Sequence, residues 1–140
     1  MLSKILYSAA FFFLLSACAS TRTTLDANSA YSQHQYASHD VNVVWKSEQT
    51  GTDIRIKGAI TNTRQDSPYQ GFELTATLLD ENGKTLAQKM YAVAPGPLVG
   101  TQDFNMDIPL ENKEQLQRIK FFYKYGIQDD HFTGDFESLP

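Results

Sequence analysis

Cysteine is nearly absent from this chain, and that scarcity excludes a good deal. A single Cys stands among 140 residues, at position 18. No intrachain disulfide can form, so the fold must be held by its core alone. Histidine is scarce too: His34, His39 and His131 are the full set. No His-x-x-x-His or Cys-His spacing occurs among them, and a metal centre needs converging ligands. No metal and no other cofactor is expected, and the three His residues read as solvated. The acidic residues Asp129, Asp130, Asp135 and Glu137 offer oxygen ligands but no Gly-containing calcium loop, so they read as a charged, solvated end. Gly-x-Ser-x-Gly is missing, as is a Gly-rich loop ahead of a helix. The Ser residues gather in a polar stretch near the N-terminus, where no rigid shell would orient a nucleophile. An enzyme is therefore not expected. Lys and Arg number 12 against 16 Asp and Glu, a formal net charge of -4. With no basic patch, nucleic-acid binding has no electrostatic footprint.

Long apolar runs are also lacking. The stretch Ile5 to Leu15 is uncharged but falls well short of the roughly 20 residues that a membrane-spanning helix needs. Lys4 precedes it, and small residues follow at Ser16 and Ala17. A basic start, a short apolar run and small residues before a cut describe a secretory signal. The run ends in Leu15-Ser16-Ala17-Cys18, which resembles the bacterial lipobox. That resemblance implies lipid transfer to the Cys18 thiol and cleavage between Ala17 and Cys18. It also gives the lone Cys a use that requires no partner Cys. The resemblance also implies more than one acyl chain on Cys18 and hence stable anchoring, since a single chain attaches only marginally. Ala19 stands where an Asp favours inner-membrane retention in enteric-type bacteria. The expected address is therefore the outer membrane, facing the periplasm.

Residues 18–39 are rich in Ser, Thr, Ala, Gln and Asn and poor in aliphatics. Such a stretch buries too little apolar surface to offset its ordering entropy. It reads as a flexible tether after the signal peptide 1–17, with a reach of roughly 25 Å. Residues 40–140 are one domain's worth of chain.

That domain alternates with period two almost throughout. Ile54, Ile56, Gly58 and Ile60 share one face, as do Phe72, Leu74, Ala76 and Leu78. Phe104, Met106 and Ile108 form a third row, and Ile119, Phe121, Tyr123, Tyr125 and Ile127 a fourth. The spacing predicts strands with one face on a core and one in water. Asn82-Gly83 is the strongest short hairpin signal. The expectation is an all-β, antiparallel, immunoglobulin-like β-sandwich of about six to seven strands, with a small closed barrel as the alternative. Gly71-Phe72-Glu73-Leu74, the turn Asp80 to Gly83, Pro95-Gly96 and Phe104-Asn105-Met106 resemble the FxLYD-type domain of bacterial lipoproteins and secreted proteins. Leu79 stands where that family has Tyr. The resemblance implies a sandwich and an interaction or envelope role, with no catalytic residues to carry over.

Val44, Leu79, Tyr91 and Phe122 fall off the core rows and form a candidate exposed apolar stripe for a partner. The competing reading is that residues 94–102 or 128–140 cover them. Two functions stay open. One is a non-catalytic envelope lipoprotein whose sandwich binds an envelope protein or other component, with membrane lipid as its second partner through Cys18. The other is a carrier or chaperone for an apolar ligand held between the sheets. A filled interior favours the first and a lined cavity the second.

Overall fold

The computed structural model describes residues 33–112 and 115–140. Cys18, the signal peptide and most of the expected tether lie outside the described residues. Eight strands follow in order: β1 His34–Ala37, β2 Val41–Thr50, β3 Asp53–Asn62, β4 Gln70–Leu79, β5 Thr85–Ala92, β6 Thr101–Pro109, β7 Arg118–Ile127 and β8 Asp130–Ser138. They form two four-stranded sheets, ordered β1-β2-β3-β6 and β5-β4-β7-β8, with every pairing antiparallel. The architecture is the expected β-sandwich.

The alternating rows explain why these segments are strands. Each inward row is buried: Ile54, Ile56 and Ile60 on β3, Phe72, Leu74, Ala76 and Leu78 on β4, Ile119, Phe121, Tyr123 and Tyr125 on β7. The β4–β5 hairpin turns where Asn-Gly predicts it. The Asp80 carboxylate accepts from the Asn82 and Lys84 amides at 2.9 and 2.8 Å, and Gly83 takes φ 78°, which Gly adopts without a Cβ clash.

The strand count is higher than expected because both ends of the domain add a strand. β8 alternates Phe132, Gly134 and Phe136 inward against His131, Thr133, Asp135 and Glu137. A glycine in the apolar row and carboxylates in the other disguise the pattern. β1 corrects the expected domain boundary at residue 40. The tail of the presumed tether pairs with β2, placing His34 opposite Trp45 and Tyr36 opposite Val43. Four residues are too few to display a period, and only Tyr36 among them is strongly apolar. Composition alone therefore assigns them to a linker.

Aromatic rings fill the space between the sheets. Trp45 on β2 lies 4.9 Å from Phe121 on β7 and 5.2 Å from Phe136 on β8, between ring centroids. Tyr36 stacks on Phe136 at 4.1 Å, and Tyr69 on Tyr125 at 4.0 Å. Each such ring, fully buried, stabilises by roughly 1.5–3 kcal/mol through area alone, with a further ~0.5–1.5 kcal/mol where rings pair in favourable geometry. Room for them comes from missing side chains. A Cβ on Gly58 would strike the Val44 carbonyl oxygen and the Phe104 ring, and one on Gly134 the Tyr123 ring.

Candidate functional site

The structure separates the four residues of the expected apolar stripe. In an antiparallel ladder directly opposed residues share a face, which places each of them. Tyr91 is opposite Leu74 and therefore points inward. Its ring lies 5.9 Å from Phe104, and its hydroxyl donates to the Asp103 carbonyl at 2.9 Å. Leu79 is buried, at the end of β4 where its carbonyl accepts from the Gln117 amide. Val44 lies on the outer face of one sheet, opposite Ala59 and Gln35. Phe122 lies on the outer face of the other, opposite Thr75 and Asp135. Of the four only Phe122 is exposed, at 41 %, so no common stripe exists. The misassignment of Tyr91 arose from Lys89, Gln88 and Met90 on an edge strand, where neither row looks apolar.

Two features that the sequence did not announce lie at one end of the sandwich. The first is a polar clasp around Asp40, in the β1–β2 turn. The Arg64 guanidinium and His39 Nδ1 approach one Asp40 carboxylate oxygen at 2.6 and 2.9 Å. The Asp40 carbonyl accepts from the Tyr69 hydroxyl at 2.7 Å and from the Thr63 amide at 3.1 Å. Thr63 Oγ1 donates to the His39 carbonyl at 2.6 Å. Buried Asn62 shapes the loop that brings Arg64 in. Its amide nitrogen donates to the Ser67 and Leu98 carbonyls, and its oxygen accepts from the Arg64 amide. Burial opposes ionisation of Asp40. The His39 ring, the nearby Tyr125 hydroxyl and the Arg64 charge outweigh it and hold the carboxyl below its ordinary range. Burial, and then the Asp40 charge, push the Tyr125 phenol well up, so it stays protonated. The clasp ties β1 to the β3–β4 loop.

The second feature is an open depression of about 390 Å³ beside the β7–β8 turn. Gly71 and Gly126 leave its floor without side chains, in a β4–β7 ladder whose register shifts between Gln70 and Glu73. The Glu73–Lys124 ion pair, at 2.9 Å, and His131 form its walls. It offers a carboxylate, an ammonium and an imidazole to a polar group, and its lining holds no Ser or Cys nucleophile. His131 and His39 are exposed as expected. His34 is not simply solvated: its ring stacks on Trp45 at 5.4 Å. Among the described residues no helix is long and apolar enough to cross a membrane.

No family model and no curated protein matches the chain. Among solved structures, a β-glucuronidase from glycoside hydrolase family 2 is similar at 16% identity and a TM-score of 0.45, over 68% of this chain and 11% of that one. A glycosyl hydrolase family 2 member from Bacteroides cellulosilyticus DSM 14838 matches at 12% identity and a TM-score of 0.44, covering 69% and 14%. Northeast Structural Genomics Consortium target SoR45 matches at 15% identity and a TM-score of 0.38, covering 72% of this chain and 84% of that one. This chain thus spans only a small fraction of the two hydrolases, and its own paired strands establish its sandwich fold.

Proposed function

We propose that this protein is a non-catalytic cell-envelope lipoprotein, anchored through an acylated Cys18, whose β-sandwich serves as an interaction module for an envelope component. The observation that carries this reading is Leu15-Ser16-Ala17-Cys18, set directly behind a short apolar run and containing the chain's only Cys. A cluster of bulky side chains buried between the two sheets supports the interaction role over that of a carrier. Trp45, Phe72, Phe121 and their neighbours are buried together in that cluster. Binding then falls to the surface. Ala19 after the acylated Cys supports an outer-membrane address.

The test is metabolic labelling with a palmitate analogue in a bacterial host. Wild-type chain takes up label and fractionates with membranes, while Cys18→Ser takes up none and remains uncut or soluble. Equal labelling of the two overturns the reading. Density-gradient separation of inner and outer membranes tests the address independently.

A further inference from the structure

Each sheet ends in two edge strands, and an edge strand presents backbone donors and acceptors on which another strand can pair. Three of the four edges carry a recognisable guard. β1 is only four residues long. On β6 the backbone groups of Asp103, Asn105 and Asp107 point away from β3. Two of these carbonyls are capped from the opposite sheet, Asp103 by the Tyr91 hydroxyl and Asp107 by the Lys89 ammonium at 3.0 Å. β5 has Lys89 itself, opposite Ala76 on the inward row. A charge on the core side of an edge opposes continuation of the sheet.

β8 has none of these guards from His131 to Glu137. It runs nine residues, with an unbroken register against β7 from Ile127↔Asp130 to Ile119↔Ser138. Between its ends the inward side chains are Phe132, Gly134 and Phe136, with no charge among them; the one inward carboxylate, Asp130, stands at the first position of the strand, beside the turn and opposite Ile127. The β7–β8 turn has two central residues, and Gln128 at the first takes φ 54°. That is a primed hairpin turn, whose flanking pair Ile127–Asp130 exchanges both backbone bonds. Counting on from it, His131, Thr133, Asp135 and Glu137 direct their amides and carbonyls outward. Among the described residues no side chain or loop bonds to those groups. The outer-face carboxylates that would deter a neighbour are matched within their own sheet, Asp135 by Lys120 at 3.4 Å and Glu137 by Arg118 at 3.1 Å.

We infer that β8 is a self-association edge, on which β8 of a second copy pairs antiparallel to join two four-stranded sheets into one. The partner is a second copy because β8 is complementary to itself. With a two-fold axis at Gly134, the outward-bonding residues meet in pairs. His131 lies opposite Glu137 of the partner copy and Thr133 opposite its Asp135. On the core side, Phe132 lies opposite Phe136 of the partner copy. The axis falls on the residue without a side chain, so no two like charges are opposed. This pairing is independent of lipid anchoring.

Two full-length copies bearing different C-terminal tags are co-expressed, and one is captured from detergent-solubilised whole cells. The expected result is co-capture of the second copy. Thr133→Pro with Asp135→Pro removes two outward amides. Proline is tolerated where an edge amide faces away from the sheet, so the thermal melt stays close to wild type. Co-capture falls at least about tenfold if these bonds hold the pair. Should the proline variant fail to fold, His131→Glu places Glu opposite Glu on a solvent-exposed face and likewise lowers co-capture. Adding Glu137→His restores the opposed pair and recovers it. A wild-type chain that captures no second copy overturns the inference and leaves the edge to a strand of another protein. Co-capture that is unchanged in the folded proline variant, or in His131→Glu, overturns it as well. Loss of palmitate labelling would be a separate failure, belonging to the anchoring reading alone.

Discussion

Trp45 and Phe121 meet across the two sheets, their ring centroids 4.9 Å apart and their planes tilted by 57°. The contact joins the middle of β2 to the middle of β7, so it reports on whether the sheets are docked. Both side chains are fully or almost fully buried.

Phe121→Ala should therefore cost roughly 3–5 kcal/mol, through lost transfer energy and the cavity left behind. That is a large share of the ~5–15 kcal/mol typical of a whole domain. Phe122→Ala, one residue on, removes a side chain that is 41 % exposed, and should cost less than about 1 kcal/mol. Paired urea melts check the contrast. A costlier Phe122→Ala would place β7 the other way round.

β1 should be required for full stability. A chain starting at Asp40 loses the Tyr36–Phe136 stack and the His34–Trp45 stack and exposes the ring edges beneath. Its melting temperature should fall by several degrees or more, since about 1 kcal/mol shifts a domain of this size by ~4–8 °C. Tyr36→Ala in the full chain should reproduce about 1–3 kcal/mol of that loss. Equal melting of the shortened and full domains would show that β1 contributes nothing.

Acid should loosen the clasp. The Asp40 carboxyl sits below its ordinary value in the folded chain, so the unfolded chain binds its proton more readily. The stabilisation is complete above the unfolded value, near pH 4, and disappears as pH falls through the lower folded value. Asp107 and Glu48 are depressed in the same way by Arg55 and Lys46, so wild type loses stability from all three. Asp40→Asn should be less stable than wild type at pH 7, and the difference should shrink towards pH 3. A constant difference across that range would show that the Asp40 charge is not what matters. Thermal melts at each pH measure it.

Much of this fold was legible in the residues because the central strands bury one face and wet the other. Ile54, Ile56, Ile60 and Phe72, Leu74, Leu78 announce their side by alternation, and Asp80 to Gly83 announces its turn. Legibility failed at the edges. On β5 the inward row contains Lys89, held there by a carbonyl of the other sheet. On β8 it contains Gly134, kept small by the Tyr123 ring. On β1 there are too few residues for a period at all. The clasp was invisible for a different reason. Asp40, Asn62, Arg64 and Tyr69 are ordinary polar residues spread over about thirty positions, and only sheet pairing brings them together. The expected stripe failed at Tyr91 because parity along an edge strand cannot be read when both of its rows are mixed, and at Val44 and Phe122 because they lie on different sheets.

The stack of Tyr36 on Phe136 also sets an order of events. It closes a contact between the first described strand and the last, across nearly the whole domain, and β3 with β6 closes another long loop. Contacts so far apart along the chain are reached late and slowly, because loop closure must precede the gain from packing. Until β8 has been added, Trp45, Phe121 and Tyr36 lack the ring that completes their cluster. A chain emerging from its N-terminus would therefore stay incompletely folded until β8 was free. It would become a finished sandwich in one late step.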